Sequence, residues 1–353
     1  MTTPFGNCGL RYPGRLVYLS QIMWLRFLLL VMVAAVLVAA GAFVLSPTDT
    51  LRERPVVVEI PPHAGATGIA SRLSDQGAVR SGWAFIAYTG IRGNLRRLKP
   101  GEYEFPKDAS TVTVARMVEA GRVRQHPVLH PEGATLSELA RALEASHLAR
   151  AEDVLRVARD RAFLAAQGIE APSAEGYPFP DTYQFVRGMK VDEMLGRMVQ
   201  RMKTKLTPDV VARAQARGLS VHQLLTLASI VEREAVVKDE QKLIAAVFWN
   251  RLQIDMPLQA DPTAQYAAGK ERGRLTRSDL QSTNLYNTYV HPGLPPGPIA
   301  SPGMGAIEAV LDPAPVKYLY FVAISVDDRR HQFSTTAEEH NAAVARYRMS
   351  RAR

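Results

Sequence analysis

The feature that most restricts this chain is an uncharged run from Phe27 to Leu45, FLLLVMVAAVLVAAGAFVL. A run of about 20 apolar residues is what an α-helix needs to cross the hydrocarbon core of a bilayer, where only a helix or a closed barrel satisfies its own backbone groups. Residues 1–26 carry Arg11, Arg15 and Arg26 and no acid, and Trp24 stands where an interfacial anchor belongs. Positive charge ahead of the span places residues 1–26 in the cytoplasm and everything after Ser46 beyond the membrane. A cleaved secretory signal is the competing reading. Its apolar region is shorter, about 7 to 15 residues, and Ser46-Pro47-Thr48 makes a poor small-x-small cleavage site.

Composition then limits the partners. The formal charge of +9 and pI near 9.7 favour an acidic partner such as nucleic acid, anionic lipid or a carboxylate-bearing polymer. Lys and Arg are scattered rather than gathered into blocks interleaved with aromatics, and a domain beyond the membrane does not meet nucleic acid. The single cysteine, Cys8, precedes the span, so no intramolecular disulfide forms and no cysteine metal site exists. The one H-x-x-x-H pair, His126 and His130 in HPVLH, has no Glu after its first His as the zinc-protease motif requires, and no G-x-S-x-G elbow occurs, so neither a metal, a cofactor nor a serine nucleophile is expected.

Along the chain, 46–54 reads as a linker. The β-branched stretch 55–60 predicts a strand, followed by a turn at Pro61-Pro62 and an amphipathic helix over 67–76 with Ile69, Ala70 and Leu73 on one face. A second short helix over 81–90, an alternating strand over 101–105 and a helix over 111–120 closed by Gly121 follow. A weaker echo appears at 130–143, where Gly-Ala-Thr and then Leu-Ala-x-x-Leu repeat the pattern of 62–73 with two extra residues. Such strand, turn and helix units resemble LysM-type modules, which bind N-acetylglucosamine polymers; a plain spacer between membrane and catalytic domain fits as well. Residues 151–170 read as helical and 191–254 as dominated by helices. Segments 318–324 and 330–335 read as a hairpin across Asp327-Asp328, and Thr336-x-x-Glu339 as a capping box. The fold class expected is α+β: a transmembrane helix at 27–45, small LysM-like α/β modules over 55–150, and a mainly helical catalytic domain over 151–353 with a hairpin and Pro/Gly-rich loops.

Four stretches carry chemistry. In LLTLASIVEREA, 224–235, helical phase puts Glu234 on the stripe of Leu227, Ile230 and Val231 and turns Glu232 toward Leu225 and Ser229. A carboxyl on an apolar face ionises reluctantly, so its pKa rises and it can act as a general acid near neutral pH. Surface pairing of both acids with Arg233 or Lys238 is the plainer alternative. EGYPFPDTY, 175–183, combines two prolines with three aromatics, which suits a sugar groove using Glu175 and Tyr183, or equally the lid of a small core. LQADPTAQY, 258–266, offers Gln259 and Asp261 around a proline-stiffened turn. YNTY, 286–289, offers Asn287 and Tyr289 and leads into GLPPGPIASPG, a loop with little freedom to lose on binding.

Taken together, ASIVEREA, EGYPFPDTY, LQADPTAQYA and YNTYVHPGLPPGPIASPG resemble the YceG-like, or MltG, family of membrane-anchored endolytic murein transglycosylases, over essentially the whole chain. Pro178 and Ala235 depart from the residues usual there. The resemblance implies that Glu234, the second glutamate of the E-x-E pair, is the catalytic acid. It further implies non-hydrolytic cleavage of the N-acetylmuramic acid–β-1,4–N-acetylglucosamine bond of peptidoglycan to a 1,6-anhydro end, on the periplasmic side of the inner membrane and beside peptidoglycan synthases. Gln259, Asp261, Asn287, Tyr289, Tyr183 and Glu175 are the candidate substrate-binding residues. A hydrolytic muramidase in which Asp261 activates water, and a non-catalytic scaffold for wall synthases, are the alternatives.

Overall fold

A computed structural model describes residues 14–48, 53–271, 273–325, 328 and 330–351. Cys8 and Arg11, part of the 46–54 linker and Asp327 of the expected hairpin tip lie outside the described residues. Helix α1, Gly14–Leu45, contains the apolar span; Met23–Leu45 has a mean hydropathy of 3.0, and none of its described residues is buried in the protein. The chain divides into two compact units, ending and starting at Arg124 and Gln125.

In the first unit, β1 (Val56–Ile60) leads to α2 (Ala66–Asp75) and α3 (Gly82–Ile91), then β2 (Gly101–Phe105) and α4 (Thr111–Ala120). β1 and β2 pair antiparallel from Val56 opposite Phe105 to Ile60 opposite Gly101. Alternation along β1 buries Val58 and Ile60 against Ile69, Ala70 and Leu73 of α2, the face read from the sequence. Gly121 stops α4 at φ +71, a left-handed conformation that glycine adopts without penalty.

The second unit opens with the same architecture. β3 (His126–His130) is followed by α5 (Leu136–Ala145), α6 (Ala151–Val157), α7 (Arg161–Ala166) and β4 (Asp181–Phe185), which returns antiparallel to β3 with His126 opposite Phe185. The two copies match at a constant offset of 70 residues through their first helices: Val58 with Val128, Ile69 with Leu139, Leu73 with Leu143, all buried. Their closing strands also agree. Tyr103 stacks on Phe105 and Tyr183 on Phe185, and each tyrosine hydroxyl donates to a carbonyl four residues back, of Lys99 (2.8 Å) and Phe179 (2.7 Å). The Gly-Ala-Thr echo with two extra residues is corrected by this register. Gly133, at φ +74, takes the turn position of His63, at φ +66, whereas Gly65 caps α2 where Thr135 caps α5. The added length lies later, between helix and closing strand, and holds the EGYPFP stretch. The residue-150 boundary expected from the sequence falls between α5 and α6, inside this unit.

Beyond β4 come α8 (Val191–Lys205), α9 (Pro208–Ala216), α10 (Val221–Glu234), α11 (Gln241–Gln253), α12 (Asp261–Ala267), the short α13 (Arg277–Leu280), which has no buried residue, and α14 (Met304–Leu311); α8, α9, α10, α11 and α14 share one core with α5. α10 runs through its centre: every residue from Leu224 to Val231 is buried. The hairpin pairs β5 (Tyr320–Ala323) with β6 (His331–Ser334), and α15 (Ala337–Arg351) starts at the Thr336–Glu339 capping box.

Candidate active site

The two acids at the end of α10 have separate surroundings. Three residues on one face of the helix hold the proline-rich loop: His222 Nε2 donates to the Pro296 carbonyl (2.8 Å), Ser229 Oγ accepts from the Ile299 N–H (3.0 Å), and Glu232 Oε2 accepts from the Gly303 N–H (3.0 Å). Glu232 is thus a strut for that loop. Its pKa is raised, first by desolvation, while the Gly303 N–H pulls it back.

Glu234 ends the helix and faces the other way. Part of the residue stays open to solvent, yet its carboxyl is packed round with protein atoms, and desolvation pushes its pKa from 4.5 up to about 8. The Asp261 carboxylate raises it further, while the Asp261 N–H, Arg251 and Arg233 oppose the rise. A carboxyl with such a pKa is mostly protonated at neutral pH, as a general acid must be.

The stretches 258–266 and 286–289 are zipped together beside it. The Gln259 N–H donates to the Thr288 carbonyl (3.1 Å), the Ala260 N–H to Thr288 Oγ1 (3.0 Å), and the Thr263 and Thr288 hydroxyls bond at 2.7 Å. This pairing delivers the Tyr289 hydroxyl to Asp261 Oδ1 at 2.6 Å. Gln259 is exposed and held at φ +46, a sparsely populated conformation for a residue with a Cβ.

Asn287 has a different role from the one expected. It is fully buried, its Nδ2 donates to the carbonyls of Asp279, Leu280 and Ser282, and its Oδ1 accepts from the Tyr289 N–H. It shapes the loop and has no polar atom left over for a sugar. Tyr183 is also structural: its hydroxyl serves Phe179 and its ring stacks on Phe185 in β4, as Tyr103 does in the first copy.

Glu175 is buried but not beside Glu234's partners; the two lie toward opposite ends of α12. Its Oε1 accepts from the Leu136 N–H (2.9 Å) and its Oε2 from Tyr266 (3.5 Å), while burial pushes its pKa up to about 8. It lines a cavity of about 290 Å³ together with Arg159, Ser173, Arg233, Tyr266 and Lys270. Glu234 is not among that cavity's walls, although its neighbour Arg233 is.

Arg251 is the residue that sequence reasoning missed. Its guanidinium is buried, with Nε donating to the Leu319 carbonyl (2.7 Å) and Nη1 to that of Leu258 (2.7 Å), so α11 holds the 258–261 turn and the start of the hairpin at once. Its charge also reaches Glu234. An arginine in a helix reads as a surface charge, and nothing in the local sequence signals its carbonyl partners, Leu319, Leu258 and Pro257. No group of three or more His, Cys, Asp or Glu able to hold a metal occurs among the described residues.

Residues 58–346 match the profile of the YceG-like family. The chain is 32% identical over 332 residues to an endolytic murein transglycosylase of Bacillus subtilis, covering 88% of this chain and 91% of that one. It is 31% identical to an endolytic murein transglycosylase of Streptococcus pneumoniae over 86% of this chain and 60% of the longer relative. The crystal structure of a yceG-like protein from Listeria monocytogenes aligns over 82% of this chain and 99% of its own, with a TM-score of 0.58 and 32% identity.

Proposed function

The chain belongs to the YceG-like family, and from that membership we propose that it is a membrane-anchored endolytic murein transglycosylase with Glu234 as its acid and base. The observation that carries this reading is the desolvated Glu234 carboxyl at the end of a buried helix, with a pKa of about 8. Protonated Glu234 donates to the glycosidic oxygen of the N-acetylmuramic acid–β-1,4–N-acetylglucosamine bond. The carboxylate so formed takes the proton from the C6 hydroxyl, whose oxygen closes on C1 and gives a 1,6-anhydro end without water. One carboxyl serves both half-steps, so the paired acids of ordinary glycosidases are not required. General acid–base catalysis of this kind is worth about 10² to 10⁴ in rate, and placement of the glycan supplies the rest.

In this reading Gln259, Asp261 and Tyr289 place the sugar, Asp261 keeps Glu234 protonated, and Glu175 forms a separate polar wall. Helix α1 anchors the chain in the inner membrane with residues 1–26 in the cytoplasm and everything after Ser46 in the periplasm, where peptidoglycan strands and their synthases are found. The LysM-like β–α–α–β copies serve as glycan contacts or spacer. The nearness of Asp261 to Glu234 favours one rival, a hydrolase in which Asp261 activates water, although the Tyr289 hydrogen bond already occupies one of its oxygens. Mass spectrometry of fragments released from purified sacculi separates the two. Anhydro ends that vanish with Glu234→Gln support the proposal; reducing ends, or unchanged cleavage by that variant, would overturn it.

A further inference from the structure

Helix α3 breaks the rule that a surface helix turns polar side chains outward. Its sequence, GWAFIAYTGI, has no charged residue, and it buries Phe85 and Thr89 on the inner side. Its outward stripe is Trp83, Ala87, Gly90 and Ile91, at helical spacing, with Trp83 80% and Ile91 89% exposed. The second copy provides an internal control. The corresponding helix α6 occupies the same place in the β–α–α–β architecture, yet it presents Glu152, Asp153 and Arg156 there. The architecture itself therefore does not call for an apolar outer face; something particular to the first copy does.

What is particular to it is the span. Arg80, two residues ahead of α3, is clamped to the outer end of α1: its guanidinium lies 5.6 Å from the Phe43 ring centre and donates to the carbonyls of Pro47 (2.6 Å) and Thr48 (2.9 Å). Thr48 in turn donates through Oγ1 to the carbonyls of Ala78 and Ala109, both at 3.1 Å. The start of α3 is thereby fixed against the C-terminal end of the apolar helix. The segment that continues α3, RGNLRRLKP, carries Arg92, Arg96, Arg97 and Lys99 and no acid, with Arg96 and Arg97 exposed. An exposed tryptophan, an apolar stripe and a basic end are the elements of an interfacial helix, which lays its apolar face among acyl chains and its cations among anionic headgroups.

We infer that the outward face of α3 docks on the outer leaflet of the membrane that α1 spans, with Arg96 and Arg97 on anionic phospholipid headgroups, so that the first unit lies on the bilayer rather than hanging from a flexible stalk. This rests on the anchor reading of α1 and adds a second, peripheral attachment to it. Its consequence is a restricted height and orientation for whatever the first unit binds.

The test uses the full chain with Cys8→Ser, reconstituted in lipid nanodiscs of zwitterionic lipid with or without phosphatidylglycerol, with a nitroxide at Ile91→Cys or, as control, at Glu152→Cys. The expected result is an Ile91 label relaxed by oxygen and shielded from an aqueous nickel chelate in anionic discs, while the Glu152 label stays open to the chelate. Each basic residue is worth about fivefold in partitioning to an anionic surface, so Arg96→Gln with Arg97→Gln lowers the docked-to-undocked ratio about 25-fold. Failure of the chain to enter discs would refute the anchor and this proposal together. Incorporation with an Ile91 label as wet as the Glu152 label refutes the docking alone, whether the face is left bare or awaits a protein partner.

Discussion

Glu234 and Glu175 are carboxyls that the fold keeps from ionising, and this makes two pH effects calculable in sign. Both are raised from 4.5 to about 8, so between those values the folded chain holds a proton that the unfolded chain releases. Their contribution to stability is complete below about pH 4.5 and is lost as pH rises toward 8. Glu234→Gln or Glu175→Gln is expected to raise stability at pH 8 by on the order of 2 kcal/mol and to change little at pH 4.5. Urea titrations at the two pH values check this; equal effects at both would contradict it. Catalysis follows the same ionisation. With Glu234 as the acid, kcat/KM falls above about pH 8, and Asp261→Asn, by removing a charge that raises Glu234, moves that limb to lower pH. A pH–rate profile unmoved by Asp261→Asn would mean that the limb belongs to another group. Glu234 was legible in the sequence because helix phase alone separates it from Glu232. Asn287 was singled out rightly as unusual, but a carboxamide that suits a sugar suits three backbone carbonyls equally, and only the path of the chain decides between them.

Among elements, the proline-rich loop depends on α10 for its position, and α10 on the loop for satisfied polar groups. His222, Ser229 and Glu232 lie seven and three residues apart, so one helical face meets the loop at three points. Glu232→Ala leaves the Gly303 N–H without its acceptor; a loss of about 1–3 kcal/mol and a weaker hold on glycan are expected, with anhydro product still formed. Finding the same total loss as with Glu234→Gln would contradict the strut role assigned to Glu232. The opposite side of the loop is held by a turn. Gly176 has φ +79, and a Cβ there would stand 2.2 Å from the Pro298 Cβ, so Gly176→Ala brings both a strained backbone and a collision. Its cost is expected near 3 kcal/mol by thermal denaturation, and a change within a few tenths would show that the turn and loop are not packed as described. The rigidity of this loop could be read from its prolines; its attachment points, up to 171 residues away in the His130–Ser301 hydrogen bond, could not.

At the scale of the whole molecule, the repeated β–α–α–β pattern decides where the chain can be divided. The four motifs that carry the resemblance begin at Glu175, and a sequence reading puts the second echo with the membrane-proximal module. Yet β4, Asp181–Phe185, finds its partner in β3, His126–His130, and the core that surrounds α10 includes Val128, Leu136, Leu139 and Leu143. The candidate-site side also draws on this segment. Leu136 donates its N–H to Glu175, Gly133 and Ala134 exchange backbone hydrogen bonds with Ser301, and Arg233 donates to the Gly133 carbonyl (3.0 Å). Removing residues 125–150 takes away at least three large core side chains, each worth about 2–5 kcal/mol, against a total stability of about 5–15 kcal/mol for a typical domain. A fragment of residues 125–353 is therefore expected to melt in one cooperative transition and to retain anhydro-forming activity on soluble glycan strands, whereas 151–353 is expected to be insoluble or to melt without cooperativity. Differential scanning calorimetry of the two fragments decides the point. If 151–353 unfolds as sharply and at the same temperature as 125–353, the second copy is a detachable module, and the hydrogen bonds that tie it to the loop and to Glu175 contribute nothing the catalytic unit needs.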